Sequence, residues 1–331
     1  MLYTSTKMRQ RRIKVDGTAF YHCISRTCGG EHLFRTDRTL CREAEMFVWL
    51  MRRLATFCGI RILTYALMSN HYHILCEVPE PYALSDQELL HRIEVLYGRA
   101  QRDNVADQLR QCIEQGASNE LVHAIRDRFV RRMFDISIFN KELKGRFAQW
   151  YNKCHDRFGT LWAERFKSLV VEPGNALKLV GAYIDLNPVR ARLCNDPKDY
   201  RYCGYAEALA GSSPKARSGI CMILASLETM DWKECRSQYR RLLLERHSRR
   251  TASSRTFGSI ESQGELPVTA LLLCSLRYFT YGAILGSQLF VENEFSRLKK
   301  SLGYKRSRKA KRLPIFPELW ILRLPRLVPH E

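Results

Sequence analysis

Two histidines separated by one residue are the first candidates for chemistry in this sequence. His71 and His73 flank Tyr72 in the string NHYHILCEV, whose β-branched, aromatic and apolar residues predict a strand. Since side chains alternate across a strand, we expect both imidazoles on one face and Tyr72 on the other. Two imidazoles on one face are half of a divalent-metal site. The alternative for an isolated pair of this kind is two ordinary polar residues near the end of a strand.

A tyrosine and an asparagine four residues apart form the second candidate group. Tyr183 and Asn187 occur in GAYIDLNPVR, where a short predicted helix stops at Asn187-Pro188, so the two side chains share one helical face. A tyrosine can act as a nucleophile, and an amide oxygen can complete a metal shell. The alternative is a packing tyrosine followed by an ordinary helix stop. Asp185 lies on a different face of the same helix.

A third string alternates basic and aromatic residues, as is typical of surfaces that pair phosphates with cations and stack bases on rings. It comprises residues 159–167 with the sequence GTLWAERFK, preceded by residues 149–153 with the sequence QWYNK. Trp162 and Phe166 are equally consistent with positions in the hydrophobic core.

The elements that would position these residues mix helices with antiparallel strands. Strands are predicted at residues 18–27, 61–68, 72–78 and 166–171, and helices at 37–58, over most of 84–156, and at 176–186. The second and third strands are joined by Ser69-Asn70, so they should form an antiparallel hairpin. This order favours an α+β fold over a doubly wound parallel sheet.

Composition narrows the partners to polyanions. The chain has 331 residues, with 54 Lys plus Arg against 34 Asp plus Glu, so its formal charge is +20, which points to nucleic acid or an anionic surface. Its apolar runs are too short to cross a bilayer, and its amino terminus lacks the apolar segment of a secretory signal. The 12 cysteines form no C-x-x-C pair, so we expect reduced thiols in a cytoplasmic protein.

Four separated motifs occur in one order along the chain: FYHCISR, ALMSNHYHILCEV, LKGRFAQWYNKCHDRFGTLWAERFKS and YIDLNPVRARL. Together they resemble the HUH single-tyrosine transposases, specifically the REP-associated tyrosine transposases and related short insertion-sequence enzymes. The resemblance covers about residues 10–210. It implies a ferredoxin-like α+β fold, with an antiparallel sheet that carries the histidines and covering helices, one of which carries the nucleophile.

The same resemblance implies roles for individual residues. His71, His73 and Asn187 would bind Mg²⁺ or Mn²⁺, and Tyr183 would attack single-stranded or hairpin DNA to give a 5′-phosphotyrosyl intermediate. Tyr151 is the rival nucleophile. Arg165, Lys167, Arg190 and Arg192 are candidates for binding the DNA backbone, and each could equally be a solvated surface charge.

The chain is predicted to divide into a transposase domain and a basic extension. The domain covers residues 1–210 with a helical insertion at about 98–134, followed by a linker at 211–265 and a mainly helical, basic extension at 266–331. A homodimer is compatible with this organisation. The alternative function is a domesticated, non-catalytic DNA-binding protein that recognises repeat hairpins, and RNA binding follows from the charge alone.

Overall fold

The structure is a computed structural model in which residues 13–34, 40–211, 213–225, 231–244, 282–302, 309–314 and 316–323 are described. Its strands are β1 (Ala19–Arg26), β2 (Arg61–Met68), β3 (His71–Val78), β4 (Lys167–Val171), β5 (Ile284–Gly286), β6 (Lys311–Arg312) and β7 (Trp320–Leu322). They form one sheet in the order β2-β3-β1-β4-β5-β7-β6. Strands β4 and β5 are parallel, and the other neighbouring pairs are antiparallel.

The helices are interspersed with these strands along the chain. They are α1 (Arg42–Cys58), α2 (Asp86–Tyr97), α3 (Arg99–Glu114), α4 (Asn119–Val130), α5 (Ile136–Cys154), α6 (Asn175–Asp185), α7 (Asn187–Arg190), α8 (Gly204–Leu209), α9 (Pro214–Ala225), α10 (Trp232–Leu244) and α11 (Gln288–Leu302). The predicted helical insertion at 98–134 corresponds to α3 and α4.

The first four strands have the ferredoxin-like arrangement. β1 and β2 are parallel because each pairs antiparallel with β3, which lies between them. Helix α1 connects β1 to β2, and α2 to α5 connect β3 to β4. The α+β class predicted from the sequence is therefore confirmed.

The position of β1 between β3 and β4 explains its composition. Seven of its eight residues are buried, because strands lie on both sides of it and helices cover both faces of the sheet. A strand in this position needs the nearly continuous run of apolar and aromatic residues that AFYHCISR supplies. In the register with β3, Ile24 lies opposite His73, Ser25 opposite Tyr72, and Arg26 opposite His71.

The two faces of the sheet differ in chemistry. Tyr72 points toward α1 and α5: its hydroxyl donates to Asn140 Oδ1 at 3.0 Å, and its ring lies 5.0 Å from that of Phe47 and 5.6 Å from that of Trp162. Both Trp162 and Phe166 are buried, so they are core residues. The opposite face, which carries His71 and His73, is covered by α6, which packs on β2 and β3.

The outer edge of β2 is covered by the segment before α8. Leu67 N donates to Tyr202 O at 2.9 Å, and the Tyr200 hydroxyl donates to Leu67 O at 2.6 Å. Pairing of this kind removes an open strand edge, which could otherwise template aggregation.

Two glycines let α8 and α9 approach the backbone of β2. A Cβ at Gly204 would lie 2.8 Å from Thr64 Cα, and a Cβ at Gly219 would lie 2.8 Å from both Ile62 O and Leu63 Cα. Any larger residue would therefore push these helices away from the strand.

The region after residue 210 differs from the sequence expectation. Part of the predicted linker at 211–265 forms α9 and α10, which pack on each other, and α9 packs on β2; residues 245–265 lie outside the described residues. The predicted extension at 266–331 contributes α11, but also β5, β6 and β7. These strands are two or three residues long, and β5 pairs with β4 more than 100 residues earlier in the chain, so they leave no local periodicity to detect.

Two sequence expectations concern the chain as a whole. Every cysteine in the described ranges has a free thiol. Within those same ranges, no helix combines the length and apolar character needed to cross a membrane.

We expect Gly219→Ala to lower the free energy of unfolding by about 1–3 kcal/mol, because the added methyl group would collide with main-chain atoms of β2. Urea denaturation provides the measurement. Gly145→Ala is the matched control: Gly145 is exposed on α5, and a Cβ there meets nothing within 4 Å. This control should be neutral or stabilising by up to about 1 kcal/mol. Equal effects of the two substitutions would contradict a close α9–β2 contact.

Candidate active site

A third histidine joins the predicted pair. His22 on β1 faces the same side of the sheet as His71 and His73, since it lies two residues before Ile24, the partner of His73. His22 Nε2 and His73 Nδ1 are 2.9 Å apart. The ring centroids of His73 are 5.1 Å from those of both His22 and His71. No local pattern in the sequence predicts a role for His22, because only the pairing of β1 with β3 places it beside His73.

The histidines are held neutral by burial. His22 and His73 are 0% and 1% exposed. Desolvation lowers the pKa of His22 to about 3, and it lowers the pKa of His73 well below its ordinary value, with the neighbouring His71 adding to the shift. Burial also lowers the pKa of His71 to about 4, and the positive charge of Arg26 contributes. Neutral imidazole is the form that binds metal ions.

The hydrogen bond of His71 fixes its tautomer. His71 Nδ1 lies 2.8 Å from Asn70 Oδ1, while Asn70 Nδ2 donates to Gly30 O at 3.2 Å. An amide oxygen can only accept, so His71 Nδ1 carries the proton. The lone pair of His71 is therefore on Nε2.

Helix α6 brings Tyr183 to the histidines. The Tyr183 ring is fully buried, with its centroid 5.8 Å from that of His73 and 6.1 Å from that of His22. The guanidinium carbon of Arg190 lies 5.0 Å from the centre of the same ring. Asn187 Nδ2 donates to Tyr183 O at 2.9 Å, so the amide oxygen of Asn187 remains as the acceptor of this side chain.

Asp185 holds the other face of α6. Its Oδ1 accepts hydrogen bonds from Thr64 Oγ1 at 2.7 Å and from Tyr205 N at 3.2 Å, and its Oδ2 accepts from the Tyr239 hydroxyl at 2.6 Å. Burial raises the pKa of Asp185 to about 7, although these three donors act in the opposite direction. The carboxyl group thus links α6 to β2, α8 and α10, and it does not face the histidines.

Two imidazoles and an amide are the candidate ligands for a metal ion. His73 Nε2 is buried, and no hydrogen-bond partner for it occurs among the described residues. In that part of the chain, no three side chains of the types His, Cys, Asp or Glu are arranged to hold a metal ion. A set of His71, His73 and Asn187 is consistent with this observation, because its third member is an amide.

Two of the remaining predicted residues, Tyr151 and Lys167, lie on opposite faces of the sheet. Tyr151 is on α5, where its ring stacks on His155 at 4.2 Å, and α5 covers the opposite face of the sheet from the histidines. Lys167 lies opposite Ile24 on the histidine face and forms an ion pair with Glu164 at 2.8 Å.

One cation beside the histidines, Arg26, was not among the residues predicted from the sequence. Arg26 is exposed and lies directly opposite His71 in the sheet register. Arg165 and Arg192 are exposed, the latter just beyond α7 with a φ of 59°. The signal for Arg26 was its alternation with His22 along β1.

Comparisons with known proteins give one structural similarity. No family model and no curated protein matches the sequence. Among solved structures, one described as "Structure of the REP associates tyrosine transposase bound to a REP hairpin" aligns with 63% of this chain and 89% of its own, at 14% sequence identity and a TM-score of 0.39. What the site can do is therefore inferred from its own residues.

We expect Tyr239→Phe to lower the free energy of unfolding by about 1.5–3 kcal/mol, because it removes a buried donor to Asp185. Chemical denaturation followed by circular dichroism measures the change. Tyr82→Phe is the control: the Tyr82 hydroxyl donates to Glu88 at 2.7 Å and accepts from Arg92 at 2.8 Å, but Tyr82 is 48% exposed and Arg92 keeps its own hydrogen bond to Glu88. This variant should change stability by less than about 0.5 kcal/mol. A small effect of Tyr239→Phe would mean that the hydrogen bond from Tyr239 does not help Asp185 to anchor α6.

Proposed function

We propose that this protein is a metal-dependent, single-tyrosine DNA transposase that cuts and rejoins single-stranded or hairpin DNA, with Tyr183 as the nucleophile. The observation that carries the proposal is the position of the Tyr183 ring, 5.8 Å from that of His73 and under the guanidinium of Arg190. A phenol, imidazoles and a cation beside one another are the groups that tyrosine attack on a phosphodiester requires. The sequence resemblance over four motifs supports the same assignment.

The chemistry follows from the phenol. Tyr183 Oη attacks phosphorus, a Tyr–O–P bond forms, and the bond from phosphorus to the 3′-oxygen breaks. The proton lost by the phenol balances the proton gained by the departing 3′-hydroxyl. Attack by a second 3′-hydroxyl on the phosphotyrosine reverses the step and releases Tyr183, so joining needs no nucleotide cofactor. The charge of Arg190 stabilises the developing phenolate, because an opposite charge nearby favours the ionised form.

Three side chains would hold the divalent ion. His71 and His73 would each offer Nε2, and Asn187 would offer Oδ1. A bound Mg²⁺ or Mn²⁺ would polarise the phosphodiester and stabilise charge on its non-bridging oxygens. Imidazoles are softer ligands than Mg²⁺ ordinarily takes, so Mn²⁺ is the better ion for measurements in vitro.

The cations on the histidine side would bind the DNA backbone. Arg26 and Arg190 lie beside the histidines, and Lys167 lies on the same face of the sheet. Arg165 and Arg192 are exposed and would add phosphate contacts further along the strand. Contacts of this kind position DNA without reading its sequence.

The burial of Tyr183 favours a second candidate function. Tyr183 is 0% exposed, so a phosphodiester reaches it only after the covering side chains move. A protein that binds hairpin DNA without cutting it would need no such movement. Formation of a covalent adduct separates the two candidates, because only the transposase forms one.

We expect Tyr183→Phe to abolish the covalent adduct while the dissociation constant for hairpin DNA changes less than about threefold, since the ring and its packing are kept. The assay uses an oligonucleotide labelled at its 3′ end, because a 5′-phosphotyrosine retains the DNA on the 3′ side of the nick. Denaturing electrophoresis detects the adduct. Tyr151→Phe is the control and should form the adduct normally. Loss of the adduct in Tyr151→Phe, with retention in Tyr183→Phe, would reverse the assignment of the nucleophile.

We expect His71→Ala to weaken Mn²⁺ binding at least about tenfold, since it removes one of two imidazole ligands. Isothermal titration calorimetry measures the affinity. His123→Ala is the matched control, because His123 is exposed on α4. In parallel, EDTA should stop strand cleavage. DNA binding should be unchanged by EDTA and should weaken as the salt concentration rises. Cleavage that persists in EDTA, or equal Mn²⁺ affinity of both variants, would remove the metal from the proposal.

A further inference from the structure

We propose that His22 is a positioning residue that fixes the tautomer of His73, so that His73 presents the lone pair of Nε2 to a divalent cation. The inference rests on the proposed function, since it concerns the metal site of that function. The contact between His22 Nε2 and His73 Nδ1, 2.9 Å long, carries it.

A contact this short between two neutral imidazoles holds one proton. If His22 donates, His73 Nδ1 is the acceptor, so the single N–H of neutral His73 is on Nε2 and His73 cannot bind a metal ion there. If His73 donates from Nδ1, its Nε2 keeps a lone pair. Donation by His22 would therefore prevent His73 from binding the ion, whereas donation by His73 would allow it.

The charges around His73 select the second direction. Arg26 lies opposite His71 and therefore on the side of His73 away from His22, and the Arg190 guanidinium lies over the Tyr183 ring beside His73. A positive potential favours a lone pair over an N–H at the outer nitrogen, Nε2. The other nitrogen of the pair, His22 Nδ1, is buried, and the described residues contain no partner for it. His22 Nδ1 lacks a hydrogen-bond partner among the described residues whichever histidine donates, so it does not favour donation by His22.

His71 has the same arrangement, imposed by a different group. Asn70 Oδ1 accepts from His71 Nδ1, and His22 Nε2 accepts from His73 Nδ1, so both imidazoles expose Nε2. Metal-binding histidines ordinarily donate their second N–H to such an outer partner, and loss of that partner weakens metal affinity about 10- to 100-fold.

His22 is not itself a third ligand in this arrangement. Its Nε2 is directed at the Nδ1 of His73, the nitrogen on the far side of the ring from the proposed ion.

The test combines a tautomer measurement with metal affinity. Long-range ¹⁵N–¹H NMR of histidine-labelled, metal-free protein reports which nitrogen of His73 is protonated, with His73→Gln used to assign its signals. Wild-type protein should show His73 protonated at Nδ1. In His22→Phe, which keeps a ring but has no acceptor, His73 should lose that preference, and Mn²⁺ affinity measured by calorimetry should fall about 10- to 100-fold.

His22→Gln is the conservative variant, because Gln Oε1 can accept at the position of His22 Nε2. It should keep the Nδ1 tautomer and bind Mn²⁺ within about threefold of wild type. Thermal unfolding checks that each variant is folded. If His22→Phe does not fold, the wild-type tautomer and His22→Gln still decide.

Two results would overturn the inference: His73 protonated at Nε2 in the wild type, or unchanged Mn²⁺ affinity in folded His22→Phe. The failure of the proposed function has a different signature. In that case His71→Ala and His73→Ala would bind Mn²⁺ as tightly as wild type. If His71→Ala weakens binding and His22→Phe does not, the metal site stands and only the role of His22 fails.

Discussion

The imidazole of His73 lies in the middle of the sheet, where water cannot satisfy its nitrogens. At 1% exposure, an imidazole must find its partners within the protein or leave a polar group unsatisfied, which costs about 1–3 kcal/mol. His22 supplies one partner from the neighbouring strand. This contact requires the register that places Ile24 opposite His73, because a slip of one residue would turn His22 to the other face. The position of the site is thus set by the pairing of two central strands.

The different chemistry of the two faces of the sheet stabilises the register of β1 with β3. On one side, Tyr72, Phe47 and Trp162 pack as an aromatic core whose rings are 5.0–6.2 Å apart. This core stabilises the β-hairpin and leaves the other face available for polar groups. Helix α6 closes that face and is itself held by Asp185. Since Asp185 accepts a hydrogen bond from Tyr239 at 2.6 Å, α10 stabilises the helix that carries Tyr183.

Local patterns in the sequence predicted the parts of this arrangement that depend on neighbours in the chain. Alternation predicted His71 and His73 on one face, and four-residue spacing predicted that Tyr183 on α6 and Asn187 at the start of α7 lie side by side. The contact of His22 with His73 spans 51 residues, and no periodicity encodes such a partner. The bond from Ser287 Oγ to Glu172 Oε1, 2.8 Å long, spans 115 residues, and it shows the same limit for the C-terminal strands. Composition alone made 211–265 resemble a linker, because the residues that bury α9 and α10 lie on β2 and α6.

The burial of Tyr183 links binding to chemistry in the proposed reaction. The same guanidinium that covers the ring, that of Arg190, is also a cation suited to a phosphate. A DNA phosphate that engages Arg190 would lie beside the phenol, so the side chains that cover the ring would have to move as the DNA binds. The free energy of DNA binding would therefore contribute to exposing the nucleophile, and a molecule too small to hold several cations at once would leave Tyr183 covered. In the proposed reaction, burial of Tyr183 in the absence of DNA would protect the phenol, and the formal charge of +20 would attract a long phosphate chain more strongly than a small phosphate ester.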